Sequence, residues 1–161
     1  AAGYATAPQY AYSLISLIER FNLMQFDTQE AKPAKRTKNW KSEFFDRHNV
    51  YRNNKNYFIV VELGDDMATI SKATGVSLRK LYSYNDLSPD YAPTQGDIIY
   101  LMKKKKSASK QFKDNPIHIV DYNQSMHDIA QLYGMRLENL YELNHLDADY
   151  TPQIGDILRI R

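Results

Sequence analysis

Cysteine is absent from this 161-residue chain. That excludes disulfides, thiol nucleophiles and thiolate metal sites, and it leaves the redox compartment unread. Histidine is scarce: His48, His118, His127 and His145 are the four present, and their spacing fits no metal-ligand pattern, so no metal or other cofactor is expected. No stretch approaches the run of about 20 apolar residues that a membrane-spanning helix requires. Neither sign of charge dominates, because 21 Lys and Arg against 19 Asp and Glu leave a formal net charge of +2. That is too small to imply a polyanionic partner by itself. No GxSxG elbow, P-loop or HExxH occurs. The chain begins at Ala1 without Met or a secretory signal and reads as trimmed. Its 43% apolar and 25% charged residues are nevertheless those of an ordinary folded protein.

What the chain does contain is a repeat. "YNDLSPDYAPTQGDIIYL" starts at Tyr84, and "LNHLDADYTPQIGDILRI" follows 59 residues later at Leu143. Residues 58–102 align without a gap on residues 117–161, with 15 identities in 45 positions. The identities fall at turns, caps and apolar positions. Val61 and Val120 end β-branched runs of strand character. Asp66 and Ser125 are placed to N-cap a helix carrying Met67 and Ile70, or Met126 and Ile129. Gly75 and Gly134 fall where that helix must stop in a left-handed cap. A second helix repeats Leu78, Leu81 and Tyr82 as Leu137, Leu140 and Tyr141, and Asn85 and Asn144 are expected to end it in the left-handed region. Gly96-Asp97 and Gly155-Asp156 then turn the chain into a last strand. Each copy therefore reads strand, helix, helix, strand, and the fold class is α+β.

The rest of the chain reads as connections and one orphan helix. "TAPQYAYSLISLIERFNL" has a capping-box spacing at Thr6 and Gln9, Pro8 in the first turn, and an apolar face of Tyr10, Leu14, Leu17, Ile18 and Phe21. Residues 28–47 form a basic linker. "HNVYRNNKNYFIVV" reads as a β-hairpin turning at Asn53-Asn54. Residues 103–115, with six lysines and no acid before Asp114, read as a solvated linker that keeps the two copies apart. The expected organisation is a terminal helix over 1–27, a linker over 28–47, the hairpin strand with the first copy over 48–102, a Lys-rich linker over 103–115, and the second copy over 116–161.

"VVELGDDMATISKATGVSLRKLYSYNDL" with "QGDIIYL", and "IVDYNQSMHDIAQLYGMRLENLYELNHL" with "IGDILRI", resemble the lysin motif (LysM), a module that binds peptidoglycan and chitin. The resemblance spans both copies. It implies a shallow groove for N-acetylglucosamine-containing glycan between the loop after the first strand and the loop before the last. In the first copy it points to Gly64, Asp65, Asp66, Met67, Asn85, Leu87, Ser88, Pro89 and Asp90. In the second it points to Asn123, Gln124, Ser125, Met126, Asn144, Leu146, Asp147, Ala148 and Asp149. Loop peptide groups would meet the sugar amides, and Met67 or Leu87 would floor the acetyl methyl. Tyr91 and Tyr150 are further candidates for stacking on a sugar ring, with loop packing as the other explanation. The sequence departs from the family pattern where Gly64-Asp65-Asp66 becomes Asn123-Gln124-Ser125, and where the usual proline before the late Gly-Asp is Gln95 or Ile154.

"GYATAPQYAYSLISLIERFNLMQFD" resembles the last helix of the glucosaminidase domain of bacterial peptidoglycan hydrolases of the Bacteroidetes type. This resemblance implies an upstream catalytic domain as partner, a periplasmic, envelope or extracellular location, and no catalytic residue within this chain. Glycoside hydrolysis usually needs two flanking carboxylates, and Glu19 is the only acid of the resembling segment before its closing Asp27. The expected function is anchoring an attached hydrolase to its glycan, with tandem display raising avidity. Two rivals are weighed. The altered second loop favours a protein-interaction or spacer module. "ISKATGVSLRKLYSYN" superficially suggests helix-turn-helix DNA binding, but Glu138 and Glu142 on the second copy's second helix would repel phosphates, so no nucleic acid is expected.

Overall fold

The computed structural model describes residues 48–161. The expected N-terminal helix and basic linker lie outside the described residues. The first copy begins with a hairpin, β1 (Tyr51–Asn53) and β2 (Asn56–Val60), paired antiparallel in the register Tyr51↔Phe58. The turn sits one residue later than the sequence suggests. Asn54 and Lys55 take the left-handed conformation (φ 47° and 64°), giving the two-residue connection whose twist suits a hairpin. Asn53 is left as the last strand residue, with its carboxamide free to bond elsewhere.

Helices α1 (Met67–Thr74) and α2 (Leu78–Asn85) follow, and β3 (Ile98–Tyr100) returns to pair with β2, giving the order β1-β2-β3. The second copy repeats the plan. Strand β4 (Ile117–Ile119), helices α3 (Met126–Leu132) and α4 (Leu137–Asn144) and strand β5 (Ile157–Arg159) close a two-stranded antiparallel sheet. Each copy buries its own small core. Ile59, Val61, Met67, Ile70, Leu81, Ile99 and Leu101 form the first. Val120, Met126, Ile129, Leu140, Leu158 and Ile160 occupy the matching places in the second, with Ala108, Ala130 and Met135 added. The first helices start as their sequences suggest. Asp66 and Ser125 both complete capping boxes, with Thr69 and Asp128 as their reciprocal partners.

Ser125→Ala is therefore expected to cost about 1 kcal/mol in a denaturant melt. At Asp66 the test is pH. Hydrogen bonds from the Thr69 hydroxyl and amide hold its carboxyl below the ordinary 3.8. The cap's contribution is thus present above that value and is lost as pH falls through the lower folded value. Asp66→Ala should flatten this part of the acid melting profile.

The stretch between the copies corrects the expectation of a solvated spacer. Lys103, Lys105 and Lys106 are exposed, but Lys104 is buried at 2% exposure. Its ammonium lies 2.8 Å from the Asp86 carboxylate of the first copy and 2.5 Å from Oε1 of Gln131 in the second. The backbone also docks: Lys105 N–H donates to the Gly134 carbonyl, and Arg136 N–H to the Lys105 carbonyl. The hairpin turn reaches the same place. Asn53 Nδ2 donates to the Leu132 carbonyl at 2.7 Å, and Asn54 Nδ2 to the carbonyls of Ser107, Tyr133 and Gly134. Those carbonyls at the end of α3 belong to the groups a helix terminus leaves unpaired. Gly134 has no room for more: a Cβ there would lie 3.0 Å from the Tyr100 hydroxyl and 3.1 Å from Cβ of Asn54. The two copies are packed against one another through polar contacts.

Candidate functional site

In the first copy, several residues expected to line a groove instead build the loops. Gly64 is exposed with φ +88° and has open space beside it, so backbone conformation alone asks for glycine. Asp65 turns inward, where its Oδ2 accepts from His48 Nε2 at 2.6 Å and from Glu62 N–H at 2.8 Å. Asp66 is the helix cap, and Met67 is core at 3% exposure. Leu87 packs against the same core. Ser88, Pro89 and Asp90 are exposed, with the Ser88 hydroxyl donating to the Asp90 carboxylate.

Asn85 requires a correction. It is the last residue of α2, and the left-handed residue is Asp86 (φ 55°), just as His145 (φ 56°) rather than Asn144 follows α4. Asn85 is fully buried. Its Nδ2 donates to the carbonyls of Leu81 and Tyr100, and its Oδ1 accepts from Tyr100 N–H at 2.7 Å. The carboxamide imitates a peptide group and ties the helix end to β3. Asn144 makes the same clamp, to Leu140 and to both backbone groups of Arg159. Neither asparagine has an uncommitted carboxamide to offer a sugar.

The second copy shows how its altered loop keeps the same local structure. Asn123 takes the left-handed place of Gly64 at φ 56°, a conformation asparagine tolerates. Gln124 replaces Asp65 and accepts from the Asp121 N–H at 2.9 Å, while Ser125 replaces Asp66 as the helix cap. Gln124 Oε1 also lies 2.8 Å from His118 Nε2, whose Nδ1 faces the Tyr133 hydroxyl at 3.0 Å. All three changed letters keep the backbone roles of the residues they replace.

Here the structure opens a cleft of about 510 Å³. Of the nine residues expected in this copy, Asn123, Gln124, Ser125, Met126, Ala148 and Asp149 line it; Asn144, Leu146 and Asp147 do not. Leu146 packs on the core instead, and Asp147 is exposed. The remaining wall is His127, Leu137, Tyr141, Tyr150, Thr151 and Pro152. Leu137 and Tyr141 stand four apart at the start of α4, where the same spacing reads as core. Their positions beneath the loops could have flagged them.

The second loop of each copy is pinned by the repeated Gly-Asp. Asp97 Oδ2 accepts from the Tyr91 hydroxyl at 2.6 Å and from Thr94 N–H at 2.7 Å. Asp156 accepts from the Tyr150 hydroxyl and from Gln153 N–H in the same way. Tyr91 and Tyr150 therefore use their hydroxyls on loop structure, while the body of Tyr150 still faces the cleft. Burial pushes the Tyr91 phenol up to about 12, with the Asp97 bond and the Asp97 and Asp128 charges adding to it. Tyr141 is raised by burial and by the charge of Asp149. The Asp156 carboxyl is held low by the Tyr150 hydroxyl and the Gln153 amide.

The lining is thus aliphatic and aromatic faces with amides, hydroxyls, one imidazole and one carboxylate. Such a surface suits a largely neutral ligand carrying both apolar faces and hydrogen-bonding groups. Among the described residues no cluster of His, Cys, Asp or Glu could hold a metal ion.

The LysM domain model matches residues 59–101 and 118–161, more than half of the chain and both of its copies. The chain belongs to the LysM domain family. Each copy is a LysM module, a binding rather than a catalytic domain. Among curated proteins it is similar to an autolysin of Enterococcus faecalis (strain ATCC 700802 / V583), 28% identical over 165 residues. That match covers 91% of this chain and 21% of the autolysin, so the chain spans about a fifth of that relative's length. Among solved structures it is similar to the spore cortex-lytic enzyme SleL of Bacillus cereus, at 19% identity and a TM-score of 0.28 over 65% of this chain and 22% of that one. The SleL of Bacillus megaterium QM B1551 gives 14% identity and a TM-score of 0.27 over 64% and 22%. No helix among the described residues is long and apolar enough to cross a membrane.

Proposed function

We propose that this region binds N-acetylglucosamine-containing glycan of the bacterial cell wall and holds an attached wall hydrolase on its substrate. The second module's cleft carries the reading. Its amphipathic lining offers apolar faces at Leu137, Tyr141 and Tyr150 for sugar rings and acetyl methyls. Asn123, Gln124, Ser125 and Thr151 offer partners for hydroxyl and amide groups. In the first module, the exposed residues Gly64, Ser88, Pro89 and Asp90 are the corresponding candidates. The catalytic domain is proposed to lie upstream, in keeping with the autolysin similarity, and the location to be the cell envelope or its exterior.

Co-sedimentation with purified insoluble peptidoglycan tests this. Retention should survive high salt, because neutral hydrogen bonds and apolar contact are screened little, whereas attraction through Lys103, Lys105 and Lys106 would be screened. Pelleting that salt abolishes would replace the cleft with the lysines as the binding element.

A further inference from the structure

Two of the contacts that join the modules fall on the wall of the second cleft. His127, which lines the cleft, directs Nε2 at the Asn85 carbonyl at 2.8 Å. A carbonyl only accepts, so this nitrogen carries the proton. Leu137, also in the lining, donates its N–H to Asp86 Oδ2 at 3.0 Å. That oxygen holds the buried Lys104 as well, and Lys104 in turn fixes Gln131 on α3. Gln131 reaches back to the Ile98 carbonyl and to Asn85 Oδ1. The first module's second loop starts at these residues, and Tyr91 within it feels the charge of Asp128 in the first turn of α3.

The repeat itself does not call for this junction. The positions matching His127, Gln131 and Asp86 in the other copy are Ala68, Lys72 and His145. The hairpin turn and Lys104, which complete the junction, lie outside both matched segments. These residues are therefore explained by docking and not by the LysM fold.

We propose that the first module is a structural part of the second module's binding site: its residues 85–86 brace the cleft wall, with His127 as the positioning residue. The tandem is then one binding unit with a fixed spacing between its grooves, not two modules on a tether. This inference rests on the glycan reading above, and it adds that second-cleft affinity depends on the junction.

The test uses the full chain and a soluble β-1,4-linked N-acetylglucosamine oligomer, followed by NMR at the amides of Ala148 and Thr151. His127→Leu, which cannot donate to the Asn85 carbonyl, should weaken binding on the order of fivefold, the effect of one lost hydrogen bond. His127→Gln, which retains a donor, should stay within about twofold of the unchanged chain. Thermal melts establish that both variants fold. A His127→Leu chain that is folded and binds normally overturns the bracing role while leaving glycan binding intact. Equal losses in both variants overturn it too, since the imidazole would then be touching sugar directly. If the unchanged chain shows no shifts at these amides, the glycan reading fails and takes this inference with it.

Discussion

Asn85→Ala is expected to destabilise the protein by about 3 kcal/mol, and Asn144→Ala by about 1 kcal/mol, although the two side chains make the same clamp. The difference lies in water. Asn85 is fully buried, and removing its carboxamide strands the N–H and C=O of Tyr100. It also removes an acceptor from Gln131 at the junction. A buried group left without a partner bears its whole desolvation cost. At Asn144 the bonded strand residue is Arg159, which is exposed, so water can replace the lost partner. Urea melts of the two variants give the comparison directly. Equal losses would mean that the clamp acts through strand geometry alone and that burial contributes nothing.

Much of this architecture was legible because the repeat is written in local chemistry. An N-cap is a local signal, so Asp66 and Ser125 could be read as caps at sight, and the structure adds Thr69 and Asp128 as their reciprocal partners. Gly75 is the left-handed cap expected for α1, whereas α3 is capped by Tyr133 at φ −92°, with Gly134 following at positive φ. The same local logic misplaced the asparagines. Asn85 and Asp86 are neighbours, either side chain tolerates a left-handed backbone, and the partner that decides between them is Tyr100, fifteen residues away. Asn54 and Asn53 posed the same problem in the hairpin, where strand register, not turn propensity, chose Asn54 and Lys55.

The candidate cleft was legible in its loops and hidden in its walls. Gly64 and Asn123 look like a loss of pattern in one dimension and are the same backbone state in three. Leu137 and Tyr141 carry the spacing of a core face and do pack on the core, and the amphipathic pattern has no term for the cleft they also line. The run at 103–106 hid more. Composition reads four lysines as a solvated segment, and three of them are. Nothing local distinguishes Lys104, because its counter-charge lies in the preceding module and its second partner in the following one.

That lysine supplies the other large effect. Asp86→Ala should cost about 3 kcal/mol near neutral pH, since removing one partner of a buried pair leaves an uncompensated charge. The Lys104 side chain is wholly enclosed, and the substitution also strips the acceptor from Leu137 N–H. The pH dependence separates charge from packing. Burial pulls the Lys104 ammonium below its ordinary 10.5, and Asp86 opposes that pull. Without Asp86 the folded value falls further. Between the folded value and 10.5 the unfolded chain then binds the proton more tightly, so stability rises with pH across that window. The penalty of Asp86→Ala should therefore shrink as pH rises through the variant's lowered Lys104 value toward 10.5, as the buried amine becomes neutral. The comparison stops short of about pH 10, where ionisation of tyrosine in the unfolded chain begins to work in the opposite direction against the buried Tyr100 hydroxyl, whose own value burial raises. Adding Lys104→Met to Asp86→Ala should recover most of the loss, because an apolar chain of similar length needs no counter-charge. If the double variant is as unstable as Asp86→Ala alone and neither responds to pH, the aspartate acts through its bond to Leu137 N–H, and the lysine is held by Gln131.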